Sequence, residues 1–232
     1  MRMRRPRLRA EYGYEMVGTY VLVYAGPASM AVAPFVGFEF SFEELAFVAL
    51  VFGATVALVI LAIGKRSGAH INPAITLANV LSGSSSRGLF APYAVSQVAG
   101  GLLAGLSLRL TLGALSPGTA LGSTMLAPGL NPIEGTLLEA VGTFVLATSA
   151  LTASSFVVRP LGQAALVGVT LVILIMLIAP LTGASFNPVR SLGPSIFSEY
   201  YLNQPVYWVG PMLGGGCAGV AFARIKNTRH WK

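Results

Sequence analysis

Charge is scarce in this chain. Only 10% of its 232 residues are Asp, Glu, Lys or Arg, while 54% are hydrophobic. A soluble globular domain carries about 25% charged residues, so the composition points to a membrane protein. Cysteine is nearly missing: Cys217 stands alone, and no intrachain disulfide can form. It lies in Gly214-Gly215-Gly216-Cys217-Ala218-Gly219, where a small side chain suits close helix packing. Histidine is limited to His70 and His230. No nucleophile–base pair and no cluster with metal-ligand spacing is visible, so neither an enzyme nor a metal or cofactor site is expected. The Gly-rich stretches lack a following Lys-Ser/Thr, which removes a phosphate-binding loop.

The scarce charges are placed unevenly. The net charge of +7 comes largely from the ends, from Arg2, Arg4, Arg5, Arg7 and Arg9 and from Arg224, Lys226, Arg229 and Lys232. Long apolar runs separate them, so a basic nucleic-acid groove is excluded. Basic flanks beside apolar spans read instead as anchors facing anionic lipid.

A spanning helix needs about 20 mostly apolar residues. Six candidates meet this: Tyr12 to Val36, Leu45 to Ile63, Leu89 to Leu112, Ile133 to Val157, Leu161 to Ile178 and Val206 to Phe222. The first follows a basic start but carries Glu15, and it is read as a retained span rather than a cleaved leader. Residues 113–131, rich in Gly and Pro, divide the chain. Lys65, Arg66, Arg87 and Arg159 fall on the side of both ends, while Glu39, Glu43, Glu44, Glu134 and Glu199 fall opposite. The positive-inside rule then puts both termini in the cytoplasm, with the plasma membrane as the expected location.

Between the second and third spans stands Gly68-Ala69-His70-Ile71-Asn72-Pro73-Ala74. Between the fifth and sixth stands Gly183-Ala184-Ser185-Phe186-Asn187-Pro188-Val189, followed by Arg190. Their offset is 187 − 72 = 115, and two other markers recur in the same order. Glu15-Met16-Val17-Gly18-Thr19 matches Glu139-Ala140-Val141-Gly142-Thr143, at 139 − 15 = 124. Gly100-Gly101 matches Gly214-Gly215, at 214 − 100 = 114. The chain is therefore two repeats, 11–112 and 132–224, in one channel-like domain of 1–232 with basic tails at 1–10 and 225–232. Each repeat has three spans, an odd number, so the halves run in opposite directions and are related by a two-fold axis in the membrane plane. Each Asn-Pro string dips into the membrane and returns. Irregular backbone survives there only when buried in protein or lining a wet cavity. Pro73 and Pro188 each suit the first position of a short helix, where a missing N–H costs nothing.

At these residues the chain resembles the aquaporin family of water and glycerol channels, most nearly its archaeal and other prokaryotic members. The resemblance covers nearly the whole chain beyond the basic head. It implies an all-α membrane fold of six transmembrane helices plus two re-entrant half-helices, an inverted 3+3 repeat, and a homotetramer with one pore per subunit in a lipid bilayer. Two facing helix N-termini each present about half an elementary positive charge, and exclusion by half-helix dipoles is a known device of such pores. Asn72 and Asn187 would donate to a passing water at the pore centre, flanked by Pro73, Ala74, Pro188 and Val189. The carbonyls of Gly68, Ala69, His70 and Ile71, and of Gly183, Ala184, Ser185 and Phe186, would form a ladder of acceptors. Glu15 and Glu139, costly in an apolar span if unpaired, would accept hydrogen bonds from the re-entrant loop of their own half. His70 is expected to be a buried hydrogen-bonding residue rather than a ligand.

The resemblance also assigns a constriction to Phe52, Ile175, Ala184 and Arg190. Phe52 and Arg190 are similar to strict water channels, which usually carry His where this chain has Ile175. The Trp, Gly and loop aromatic of glycerol facilitators do not appear. The expected function is passive water conduction, with leak of small uncharged solutes such as glycerol and exclusion of ions and protons. Two alternatives stand beside it: a facilitator mainly for glycerol or a gas, and a structural membrane protein with a closed pore.

Overall fold

Polar residues at the ends of the apolar runs decide where the helices begin and stop. The structure is a computed structural model that describes residues 10–33, 41–114 and 120–228. Arg2, Arg4, Arg5, Arg7, Arg9, Pro34, Val36, Glu39, Arg229, His230 and Lys232, and residues 115–119 of the dividing connection, lie outside the described residues. In chain order the α-helices are α1 (Ala10–Val32), α2 (Phe42–Ser67), α3 (Pro73–Leu81), α4 (Phe90–Leu112), α5 (Pro132–Phe156), α6 (Pro160–Thr182), α7 (Pro188–Ser198) and α8 (Gln204–Thr228).

Several helices outrun the apolar stretches that announce them. α2 opens where the Ser41 side chain accepts from the Glu44 N–H, and closes on Gly68 in the left-handed conformation at φ 90°. Glu43 and Glu44 lie in its first turn and Lys65 and Arg66 in its last, each at the end whose dipole it complements. α5 opens on a capping box between Asn131 and Glu134. α6 runs past the expected Ile178 and through Pro180 to Thr182, ending on left-handed Gly183. α8 continues to Thr228, so the tail expected from 225 onward begins as helix.

Among the described residues, α2, α4, α5, α6 and α8 are long and apolar enough to cross a membrane. α1 has 23 residues but falls short on composition, because Glu15, Thr19 and Ser29 face the protein interior. It packs along α4 as α5 packs along α8, and α2 meets α6 between the halves.

The short helices sit on the opposite half: α3 against α8, and α7 against α4. Glycine makes these crossings possible. A methyl on Gly215 would overlap the Ala74 carbonyl, and one on Gly219 would lie 2.6 Å from the Ala78 carbonyl oxygen. In the other half, a methyl on Gly101 would overlap the Val189 side chain and one on Gly105 the Gly193 carbonyl. Small residues let helix backbones approach closely in a membrane. Cys217 is exposed, so it does not serve the packing expected of it; the contact face of that run is carried by Gly215 and Gly219.

These contacts predict that Gly215→Ala lowers the thermal unfolding midpoint in detergent, since overpacking costs about 1–3 kcal/mol. Gly216→Ala, where the nearest atom is Leu77 Cδ2 at 3.6 Å, leaves the midpoint unchanged or raises it. Equal midpoints for the two variants would contradict this account of the crossing.

Candidate functional site

Each re-entrant loop turns through alternate left-handed residues. Ala69 and Ile71 have φ of 49° and 45°, and Ala184 and Phe186 have 46° and 52°. Such backbone is unfavourable for residues with a Cβ, so it persists only where the surroundings hold it. The holding group is a buried carboxylate in each half. Glu15 Oε1 accepts from the Ser67 hydroxyl at 2.7 Å and the His70 N–H at 3.0 Å. Its Oε2 accepts from the Ile71 N–H at 2.6 Å and Gln97 Nε2 at 2.9 Å. Glu139 Oε1 accepts from the Thr182 hydroxyl at 2.7 Å and the Ser185 N–H at 2.9 Å, and Oε2 from the Phe186 N–H at 2.7 Å. Both carboxylates therefore bind the loop of their own half.

The loops end in matching caps. Asn72 Oδ1 accepts from the Ala74 N–H at 2.8 Å, and Asn187 Oδ1 from the Val189 N–H at 3.0 Å. Each side chain thereby becomes the N-cap of the short helix it precedes. Their amide nitrogens reach across. Asn72 Nδ2 donates to the Phe186 carbonyl at 2.7 Å, and Asn187 Nδ2 donates to the Ile71 carbonyl at 2.9 Å. An amide NH2 holds two hydrogens, so one joins the loops and one remains for a molecule in the lumen. Val189 is fully buried over Gly101, so α4 takes up its extra bulk and the two cross-loop bonds stay nearly equal.

A cavity of about 510 Å³ runs between these elements. Ser85, Gln163 and Lys226 line it on one side of the loops, Asn72 and Asn187 between them, and Phe52, Ile175, Ala184 and Arg190 toward α7. All four residues assigned to a constriction thus face one space. Arg190 is buried, donates from Nη1 to the Gly122 carbonyl at 2.7 Å, and places Cζ 5.0 Å from the centre of the Phe52 ring.

The loop residues divide. Gly68, Ala69, His70 and Ile71, with Ala184 and Ser185, line the cavity. Gly183 and Phe186 are engaged elsewhere. Gly183 closes α6 beside Thr124, while the Phe186 ring lies on Gly142 and its carbonyl is taken by Asn72. Pro73, Ala74, Pro188 and Val189 lie behind the wall, in the short helices. His70 is buried, with Nδ1 3.3 Å from the Thr76 hydroxyl.

Several contributors escaped the sequence reading. Tyr93 donates to the Ser67 carbonyl at 2.6 Å and Tyr207 to the Thr182 carbonyl at 2.9 Å. Ser67 pairs with Thr182 at 182 − 67 = 115, and Tyr93 with Tyr207 at 207 − 93 = 114. The repeat offsets held that signal. Gln97 has no such counterpart, and Gly122 sits in a connection whose sequence marks only a boundary.

Residues 3–222 match the major intrinsic protein family. The chain belongs to that family. It is similar to aquaporin NIP1-1 of Zea mays, 32% identical over 219 residues that cover 92% of this chain and 74% of the relative. It is also similar to aquaporin-1 of Pongo abelii, 33% identical over 184 residues, 78% of this chain and 68% of the relative. The fold is that of the aquaglyceroporin from Plasmodium falciparum, with a TM-score of 0.75, 20% identity and 94% of both chains covered. As a member of the family the protein is a multi-pass membrane channel for water or small neutral solutes, passive and not an enzyme.

The carboxylate anchors carry a prediction. In Glu139→Gln an NH2 group faces one of the N–H donors of Ser185 and Phe186, and an unsatisfied buried donor costs about 1–3 kcal/mol. The variant is expected to unfold at lower temperature in detergent and to expose the 183–187 loop to proteolysis. Parental stability together with parental loop protection would contradict the anchoring role.

Proposed function

We propose that this channel conducts water, admits small uncharged solutes such as glycerol more slowly, and excludes protons and ions. One observation supports this most: Asn72, Asn187, Phe52, Ile175, Ala184 and Arg190 all line a single cavity. At the centre, two half-helix N-termini and two remaining amide hydrogens present donors to a water oxygen. A water held by both cannot donate to its neighbours in both directions, which breaks a proton relay. Facing N-termini also oppose cations.

Farther along, Arg190 and the Phe52 ring set one side of the constriction. Ile175 and Ala184 set the rest with no polar side-chain group. An apolar, moderately wide ring with one fixed cation suits water and tolerates a polyol. That same pair favours the second reading, a facilitator mainly for glycerol. The subunit is read as a single channel domain with repeats 11–112 and 132–224. We place it as a homotetramer in the plasma membrane with both termini cytoplasmic, supported by Lys65, Arg66, Arg87 and Arg159 lying on the side of the ends.

Stopped-flow light scattering of proteoliposomes tests the proposal. Water permeability is expected to rise well above that of empty liposomes, with a smaller rise for glycerol. Ile175→His, which narrows the ring and adds polarity, is expected to cut glycerol permeability more than water permeability. Water flux equal to empty liposomes would overturn the proposal, and glycerol flux that dominates water flux would favour the second reading.

A further inference from the structure

The four constriction residues come from α2, α6, the second re-entrant loop and α7. None comes from α1, yet one turn of α1 touches Phe52, Arg190 and the Gly122 that holds Arg190. The Phe52 ring lies against Gly26: a methyl there would overlap Cε1 and Cζ and lie 2.6 Å from Cδ1. Pro27 backs Gly122, where an added methyl would lie 2.7 Å from Pro27 Cβ. Gly122 is left-handed, at φ 72°, and gives its carbonyl to Arg190. Met30 places Sδ 3.7 Å from Arg190 Nη2, on the same face of α1 as Gly26. The Ser29 hydroxyl donates to the Gly26 carbonyl at 2.5 Å within the same turn.

We propose that the turn from Gly26 to Met30 backs the constriction, and that Gly26 and Met30 are positioning residues that set its width and its choice between water and larger neutral solutes. This rests on the reading of Phe52, Ile175, Ala184 and Arg190 as the constriction. The missing side chain at Gly26 lets the Phe52 ring sit back toward α1; any larger residue drives the ring toward the lumen. Met30 acts on the other member of the pair. A thioether is a weak acceptor, so it holds Nη2 without compensating the charge as a carboxylate would. Arg190 is then held at both terminal nitrogens, by Gly122 and Met30, while its buried Nε has no partner among the described residues. The guanidinium keeps its charge and one fixed place. The unbranched Met side chain can follow the irregular gap beside it.

The two residues act in opposite directions, and that gives the test. Glycerol and water permeabilities are measured in proteoliposomes of Gly26→Ala, Met30→Leu, Met30→Gln and Phe52→Ala, and expressed as the glycerol-to-water ratio. Gly26→Ala is expected to lower the ratio. Met30→Leu, which leaves Arg190 with one anchor, is expected to raise it measurably above the parental value. Met30→Gln, with an oxygen acceptor in reach, is expected to restore the parental ratio, which general loss of stability would not do. Phe52→Ala is expected to raise the ratio. If Phe52→Ala shifts the ratio and neither α1 substitution does, the role of α1 is overturned. If Phe52→Ala leaves the ratio unchanged, the constriction reading falls and this inference with it. If Gly26→Ala prevents assembly, the Met30 pair decides alone, by a raised ratio in Met30→Leu that Met30→Gln restores.

Discussion

Bare backbone inside a membrane has to find partners, and the structure depends on how two five-residue loops do so. The left-handed residues keep each loop out of regular helix, so its N–H groups need partners outside a helical ladder. Glu15 and Glu139 collect those groups. Each is fully buried and each binds the loop of its own half through both oxygens. A carboxylate in an apolar span is costly alone, but here its hydrogen bonds replace those that water would have made. Once the loops are fixed, their carbonyls, the two Asn caps and the directions of α3 and α7 are fixed with them.

The halves then hold one another. Reciprocal bonds between Asn72 and the Phe186 carbonyl, and between Asn187 and the Ile71 carbonyl, join the loops at their tips. Behind them, α3 lies on α8 and α7 on α4, so each short helix is supported by the opposite repeat. Glycines at 101, 105, 215 and 219 bring those backbones together. The match is not complete. Gln97 joins Glu15 without a counterpart beside Glu139, and Val189 stands where the first motif has Ala74. The two Asn–carbonyl bonds remain alike despite both departures, at 2.7 and 2.9 Å.

The architecture was legible because the chain repeats. Three markers in the same order imply two repeats, and three spans in each imply that the halves are opposed. Helix ends were less legible, because Ser41, Gly68 and Gly183 act by local geometry beyond the apolar runs. α1 is the least apolar of the spans, because its Glu15 and Thr19 serve the interior. Phe52, Ile175, Ala184 and Arg190 were named from a family resemblance, and the fold brings them to one cavity. The residues behind that wall were not legible. Gly26, Met30 and Gly122 match no repeat marker, and their importance comes from what the folded chain lays against them.

The central claim is that the junction of the two loops carries water and stops protons. Water flux and proton flux can be read on the same proteoliposomes, by scattering after an osmotic step and by an entrapped pH-sensitive dye after a pH step. The account predicts water permeability far above that of empty liposomes and proton permeability equal to theirs. Proton flux that rises in proportion to the amount of reconstituted protein, alongside water flux, would contradict it.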